Sequence, residues 1–558
     1  MNKITKQCVA AVASLAMAGT LCVAGAVVAG SSAWAAGTAC DATKAPWAAD
    51  QTANCVGSIK ITKYKDEVND QGGQTKTTKV KDAKFKVTKV TNFDLTKYNS
   101  WLDVAAKVQT LNDTPNSTDG LTFDQKVKEI VTGQDGVADF KDLGIGLYKV
   151  EETEVPDGYQ KLPKPFFMTI PEVTGSNGKT NTYKYDVTVD PKNAYTKDAI
   201  NKTADTSGMV GAVDTLPYTI TTAVITTTNT PVTARTKDDY KDFAVWDDAL
   251  ISAYDGMSKL TDATAKDLVS EVKIGTTTIK NTKGQEDKYK VTVADSDVDK
   301  TGTNATRKRI TVSFTDTDNG GLADIATALK TTPNAKLNVT FKFKLSKTVS
   351  AGELVNKYGF QQGHNTKDPK PTPTPDPEPG PSSKVTLRDF QIKKVNGFNA
   401  TMALSGAKFA VFAKEADAKA CAADNDRKEA NCSNKESYAA GFVNGENGTG
   451  KDGLTTAFKA KVGQEFYVVE TQAPNGFVLS PAVDKVTIPT GDTATAYVHN
   501  FKDLPNGGPD GSGKSWFTLP KTGAAGVIIF ALIGLGLVGS GMFVFLKNRK
   551  KEEEQQAA

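Results

Sequence analysis

The sequence predicts an all-β protein made of sandwich domains in tandem, with small helical insertions. Short runs alternate apolar and polar residues, as in Gly57-Ser-Ile-Lys-Ile-Thr-Lys63 and Ala83-Lys-Phe-Lys-Val-Thr-Lys-Val90. Such period-2 runs mark half-buried strands. Turn signals such as Asn319-Gly320 separate runs of this kind. Only 39% of the chain is hydrophobic, and the two apolar ends take much of that, leaving a middle rich in Thr, Lys, Asp and Val. The 68 basic and 64 acidic residues leave a net +4, well mixed, so no basic field points to nucleic acid.

The first 35 residues read as a secretory signal: Lys3 and Lys6, an apolar stretch from Cys8 to Ala29, and Ala33-Trp34-Ala35 as the cleavage site. Of the cysteines beyond it, Cys40 with Cys55 and Cys421 with Cys432 form two close pairs, expected as local disulfides in an exported chain.

Residues 36–195 read as a first domain. Its opening strands are the two alternating runs above, and Trp101, Leu102, Ala105 and Val108, then Val127, Ile130 and Val131, recur at helical spacing, which predicts inserted helices. Strands resume with Gly146-Leu-Tyr-Lys-Val-Glu-Glu-Thr-Glu-Val-Pro-Asp-Gly-Tyr159, Phe166–Ile170 and Tyr183–Val189. Residues 196–365 carry Thr- and Val-rich strands (Thr215–Thr227, Phe243–Trp246, Val269–Ile279, Tyr289–Val293, Arg309–Phe314, Leu337–Leu345) and one short helix from Gly321 to Leu329, a sandwich pattern. Residues 366–384 are a proline-rich spacer, extended and semi-rigid. Residues 385–503 repeat the logic of the first domain: Tyr467-Val-Val-Glu-Thr-Gln-Ala-Pro-Asn-Gly-Phe477 matches Tyr148-Lys-Val-Glu-Glu-Thr-Glu-Val-Pro-Asp-Gly-Tyr159. Residues 504–518 form a stalk.

The chain closes, over 519–558, on Leu519-Pro520-Lys521-Thr522-Gly523, an uncharged apolar run 526–546, and Lys547, Arg549, Lys550 and Lys551. The run can cross a bilayer core of roughly 30 Å at ~1.5 Å per residue, and the basic cluster holds its end in the cytoplasm. This order resembles the sorting signal of sortase substrates in Gram-positive bacteria, which implies cleavage between Thr522 and Gly523 and an acyl group on Thr522.

Nothing in the sequence spells out an enzyme. His364 and His499 are the only histidines, and no nucleophile–base pair, metal-ligand spacing or phosphate loop is evident. Asp295-Ser-Asp-Val-Asp299 starts like a calcium loop, but Lys300 and Thr306 occupy the places of its glycine and glutamate. No metal and no cofactor is expected.

The repeated Glu-x-x-x-Pro-x-Gly-Tyr/Phe segments, Leu404-Ser-Gly-Ala-Lys-Phe and the sorting signal resemble the Cna-B-type immunoglobulin-like domains of sortase-assembled backbone pilins. Tyr185-Asp-Val-Thr-Val-Asp-Pro-Lys-Asn193 is similar to their pilin motif, with Asp190 in place of the usual tyrosine. The resemblance implies that Lys192 attacks the acyl–sortase of another subunit. It also implies internal Lys–Asn bonds, each promoted by an acid. The middle domain, similar to Cna-A types, offers Lys202, Asn356 and Asp247, with Asp248 as the alternative acid. The third offers Lys394, which period 2 places inward with Phe390 and Ile392, together with Asn500 and Glu470; Lys393 is its alternative. The first offers Lys63, Asn193 and Glu152. Burial would lower the lysine pKa and raise that of the acid, so a neutral amine can attack the amide.

The resulting expectation is the major subunit of a covalently polymerised surface fimbria, joined from Lys192 to Thr522 and serving adhesion. Its expected partners are a class C pilus sortase, a housekeeping sortase, identical subunits, tip or minor pilins, peptidoglycan and a host glycan or matrix protein. A monomeric cell-wall adhesin or an accessory pilin is the alternative.

Overall fold

The computed structural model describes residues 37–176, 180–228, 230–302, 304–373, 379–432, 448–491 and 493–508. The expected signal, the sorting motif Leu519–Gly523 and the apolar run 526–546 lie outside them. Two compact units emerge. One comprises the chain up to Ser207 with Thr215–Val349 and Glu353–Val385; the other comprises Gly208–Asp214, Ser350–Gly352 and the chain from Thr386 on.

The first unit opens with β1 (Val56–Thr62), β2 (Tyr64–Lys65), β3 (Lys84–Val90), β4 (Phe123–Val131), β5 (Val137–Gly144), β6 (Gly146–Glu154) and β7 (Phe166–Ile170). It continues with the hairpin β8 (Glu172–Ser176) and β9 (Thr180–Lys184), then β10 (Asp186–Val189) and β11 (Lys192–Asn193). One sheet runs β10-β1-β5 and the facing one β4-β3-β6-β7. Alternation does the sorting: Ile59, Ile61, Phe85, Val87, Phe140 and Val150 all turn inward and share one core. β1 pairs with β10 in parallel, Ile59 opposite Val187, and β2 pairs with β11 in parallel, Tyr64 opposite Lys192. The first and last strands of this sandwich therefore lie side by side.

Helical spacing holds for Tyr98–Asp113, whose Trp101, Val104 and Leu111 are buried. It misleads for Val127, Ile130 and Val131. Those residues lie in β4, opposite Thr88, Phe85 and Lys84 of β3. A free edge of β3 was available to pair, and tertiary pairing outweighs a spacing of a few residues.

A second sandwich in the same unit follows from β12 (Ile200–Ala204), β13 (Thr215–Ala223), β14 (Ala244–Leu250), β15 (Val269–Ile274), β16 (Thr277–Thr278), β17 (Tyr289–Asp295), β18 (Arg307–Phe314), β19 (Lys336–Lys344) and, after the short β20 (Gly352–Val355), which joins neither of its sheets, β21 (Lys357–Gln361). Its sheets run β12-β13-β19-β15-β16 and β17-β18-β14-β21. The helix Gly321–Thr331 buries Leu322, Ile325 and Leu329.

In the second unit, β22 (Lys384–Asn396), β23 (Lys408–Phe412), β24 (Phe458–Lys461), β25 (Glu465–Gln472), β26 (Val483–Thr487) and β27 (Tyr497–Asp503) repeat the first plan. β23-β25-β26 is one sheet; in the other, β22 pairs with β24 and, in parallel, with β27. The cysteines pair as expected, Cys40 with Cys55 and Cys421 with Cys432.

Candidate functional site: three buried lysines and one half-buried lysine

Lysine is rarely buried unless partnered, yet Lys63, Lys202 and Lys394 are all 0% exposed. Each lies on or just past the first strand of a sandwich, where alternation turns it into the apolar core.

Lys63 follows β1. Its Nζ donates to Asn193 Oδ1 at 2.6 Å and lies 3.0 Å from Glu152 Oε1. The Asn193 amide nitrogen donates to both Glu152 oxygens, at 3.0 and 2.9 Å. Burial brings the Lys63 pKa down to about 8, against the opposing charge of Glu152. All three expected residues therefore meet, through the parallel pairing of β2 with β11.

Lys202, on β12, places Nζ 2.5 Å from Asp247 Oδ2 and over the Tyr218 ring at 4.5 Å. Asn356 Nδ2 donates to the same carboxylate oxygen at 3.5 Å. Burial draws Lys202 down to about 8 and pushes Asp247 up. Asp247 Oδ1 and Asn356 Oδ1 are buried acceptors without a hydrogen-bond donor. Two orphaned acceptors in one triad suit a carboxyl that carries a proton. Asp248, the alternative acid, is engaged elsewhere: Arg309 donates to both its oxygens, at 2.9 and 2.7 Å.

In both triads one acid contacts both the lysine amine and the asparagine amide nitrogen. A carboxyl so placed can exchange a proton with either group.

The third site differs from expectation. Lys394 places Nζ 2.7 Å from Glu470 Oε1, but Asn500 is exposed and lies opposite Lys393 in the β22–β27 register. The group brought to Lys394 is Asp503, its Oδ2 3.2 Å from Nζ and its side chain buried. Period 2 explains the exchange. Phe501 is buried, so Asp503 shares its inward face and Asn500 takes the other. The same alternation, applied to β27, is the signal that would have found Asp503 in the sequence. Lys394 is fully buried and Lys393 only partly. Neither Lys394 contact has the angular alignment of a hydrogen bond, which leaves Nζ, Glu470 Oε1 and Asp503 Oδ2 unsatisfied. Burial pushes Glu470 up to about 7, opposed by Lys394, and Asp503 is raised by burial as well.

The repeated segment has a local task. Glu152 accepts the backbone N–H of Leu162 at 2.7 Å, and Glu470 that of Ser480 at 2.8 Å, ten residues on in both cases. The Pro-x-Gly turn folds the chain back onto the acid and fixes its orientation.

Lys192 is different. It is half-buried on β11 and donates to Gln74 Oε1 at 3.3 Å. It lines a cavity of about 590 Å³ with Asp66, Phe166, Asp190 and Pro191. Burial lowers its pKa, against Asp66. Lys197, the nearest other candidate, is paired with Asp157 at 2.9 Å on the surface. The calcium-like turn is neutralised: Asp295 by Lys308 at 2.6 Å, Asp297 by Lys300, and Asp299 by Arg307 and Lys357, each at 3.0 Å. No metal-type cluster of His, Cys, Asp or Glu occurs among the described residues.

Comparison with known proteins agrees with this plan. Residues 58–185 and 388–502 match the prealbumin-like fold domain of the SpaA family, and 517–553 match the LPXTG cell wall anchor motif. A type 2 fimbrial subunit of Actinomyces naeslundii is 26% identical over 526 residues, covering 88% of this chain and 87% of that one. A type 1 fimbrial subunit of Actinomyces viscosus is 31% identical over 165 residues, 29% of this chain and 28% of the relative. The full-length major pilin SpaD of Corynebacterium diphtheriae shares the fold, at 22% identity and a TM-score of 0.50, over 81% of this chain and 98% of that one. The two prealbumin-like domains, the anchor motif and the fimbrial relatives agree: the chain is a cell-wall-anchored subunit of a surface pilus of a Gram-positive bacterium.

Proposed function

We propose that this subunit builds the pilus shaft, with Lys192 as acyl acceptor and Thr522 as acyl donor. The sortase cysteine attacks the Thr522 carbonyl and releases the Gly523 amine. The neutral Lys192 amine of another copy then attacks the thioester, the cysteine sulfur leaves, and an isopeptide bond joins the two subunits. The observation that carries the reading is Lys192 itself. It is lowered in pKa by partial burial, open to a cavity, and held by the uncharged Gln74 at 3.3 Å. A housekeeping sortase would attach the finished polymer to peptidoglycan.

Within each subunit, Lys63–Asn193 and Lys202–Asn356 close with loss of ammonia, promoted by Glu152 and Asp247. Lys394–Asp503 closes with loss of water, promoted by Glu470. Lys63 Nζ at 2.6 Å from Asn193 Oδ1 and Lys394 Nζ at 3.2 Å from Asp503 Oδ2 support two of these bonds. The contacts of Lys202 and Asn356 with the same Asp247 oxygen, at 2.5 and 3.5 Å, support the third, since groups held close in a dry site react as an intramolecular pair.

The test of assembly is the denaturing-gel ladder of cell-wall extracts. Lys192→Ala is expected to abolish the ladder and leave one anchored species; a persisting ladder would move the acceptor role to another lysine, and a single species in the wild type would indicate a monomeric adhesin.

A further inference from the structure

The loop between β2 and β3 carries chemistry that the pilin reading does not use. Asn69 begins a tight turn: its side-chain Oδ1 accepts Gln71 N–H at 3.1 Å and Gly73 N–H at 2.8 Å, and its backbone N–H and carbonyl pair with Gly73 and Gly72. Gly72 sits at φ +78°, where a side chain would be strained. The turn brings Gln74 back beside β2. There its amide is used at both ends: Oε1 accepts from Lys192 Nζ at 3.3 Å, and Nε2 donates to Asp66 Oδ1 at 3.1 Å. Asp66 is itself fixed, since its N–H donates to the carbonyl of Asn193, the residue after Lys192, at 2.8 Å. Lys76, two residues beyond Gln74, closes the loop onto β10–β11 by pairing with Asp190. Asp190 is where the pilin motif usually has tyrosine, so an ion pair stands where an aromatic side chain would.

We propose that Gln74, oriented by Asp66, is a positioning residue that aims the Lys192 amine for acyl transfer, and that Lys76–Asp190 is the clasp holding this loop in place. A carboxylate in direct contact with Nζ would hold the amine as ammonium; an amide oxygen accepts from it at far smaller cost in nucleophilicity. Asp66 acts through the amide: as an acceptor it leaves Gln74 only one orientation, oxygen toward the lysine. The charged groups around Lys192 are Asp66 and Asp190, which favour its ammonium form, and Lys76, which disfavours it. Arg235 in turn stabilises the Asp66 carboxylate against the burial that raises its pKa. Asp113, Lys161, Lys164, Lys367 and Asp368 complete the charged lining of the cavity, Lys164 and Asp368 paired at 2.7 Å.

The inference rests on Lys192 being the acceptor, and the experiment separates the two. In whole chains expressed with their sortase, ladder formation is timed for Gln74→Ala, Asp66→Ala and Asp66→Asn. Lys192 labelling by acetic anhydride is followed against pH in the same proteins. A misaimed nucleophile costs about 10- to 100-fold, so Gln74→Ala and Asp66→Ala should slow the ladder by about that factor. Asp66→Asn keeps the acceptor for Gln74 and should polymerise within about threefold of wild type, since charge is lost but geometry is not. Its labelling midpoint should fall, because a carboxylate near the amine has gone. Wild-type ladders in Gln74→Ala, equal slowing by Asp66→Asn and Asp66→Ala, or an unmoved midpoint would each overturn the proposal. A ladder that survives Lys192→Ala overturns the acceptor assignment instead, and the labelling arm still reports on the loop.

Discussion

At the scale of single residues, the proposed chemistry follows from placing lysines where water cannot reach them. A buried ammonium costs several kcal/mol unless it is paired, so the amine tends to neutrality and becomes a nucleophile. The intact mass of the mature, reduced chain is therefore expected to fall short of the calculated value by two ammonia and one water. Asp503→Asn should change the third loss from water to ammonia, which distinguishes Asp503 from Asn500 as the partner of Lys394. Glu152→Ala, Asp247→Ala and Glu470→Ala should each restore one leaving group and no other. A full calculated mass in the wild type would end the internal-bond reading. Glu470 also gives a pH signature, best read in Lys394→Met, which cannot form the bond. With Lys394 gone, the opposition to burial goes too, and the folded-state pKa sits at or above the value of about 7. The folded domain then keeps a proton that the unfolded chain releases near 4.5. Its stability should be greatest below pH 4.5 and decline as pH rises through that window, by up to about 1.4 kcal/mol per unit. Chemical denaturation at several pH values checks this; stability rising with pH across the window would contradict it.

At the scale of elements, the proposed cross-links would sit where pulling force enters and leaves. Lys63 follows β1 and Asn193 lies on β11; Lys202 is on β12 and Asn356 precedes β21; Lys394 and Asp503 lie on β22 and β27, which are parallel neighbours. Parallel first and last strands pulled at opposite ends load their hydrogen bonds in shear, and a covalent bond between them carries force past the sandwich. Non-covalent stability of roughly 5–15 kcal/mol per domain would not hold under sustained load. Single-molecule extension of the second unit should show no unfolding step in the wild type and a full step in Glu470→Ala. The disulfides act on smaller loops, with sequence separations of 15 and 11. Reduction should lower the stability of each region by about 2–4 kcal/mol in the chain-entropy estimate. It should leave the gel ladder intact, since the proposed Lys192–Thr522 bond involves no sulfur.

At the scale of the whole molecule, the proposed function needs groups on different copies: an amine on β11 of one and a threonine, outside the described residues, of another. Lys192→Arg tests this economically. Arginine keeps the positive charge and much of the length, but its guanidinium stays protonated and is not a nucleophile. The variant should fold, keep its internal mass losses and reach the wall as a single species. If it still polymerises, charge or shape at position 192 matters and the amine does not.

Much of this was legible in the sequence because it is local. Period-2 runs gave β1, β3 and β22, close cysteine pairs gave both disulfides, and Glu152 and Glu470 stand in a recognisable repeat. The sorting signal, written in consecutive residues, marked the chain as a sortase substrate. What tertiary structure decided is which faces and edges meet. Val127, Ile130 and Val131 have helical spacing, but β3 offered an edge and they became a strand. Asp247 and Asp248 are adjacent in sequence, and packing gave one to Lys202 and the other to Arg309. Asn500 and Asp503 are three residues apart, so they fall on opposite faces of β27, and only the inward one reaches Lys394. Gln74 carries no motif at all; a turn of the chain carries it to Lys192. A sequence fixes what each side chain can do, whereas the register of strands far apart in the chain fixes which of them will do it to one another.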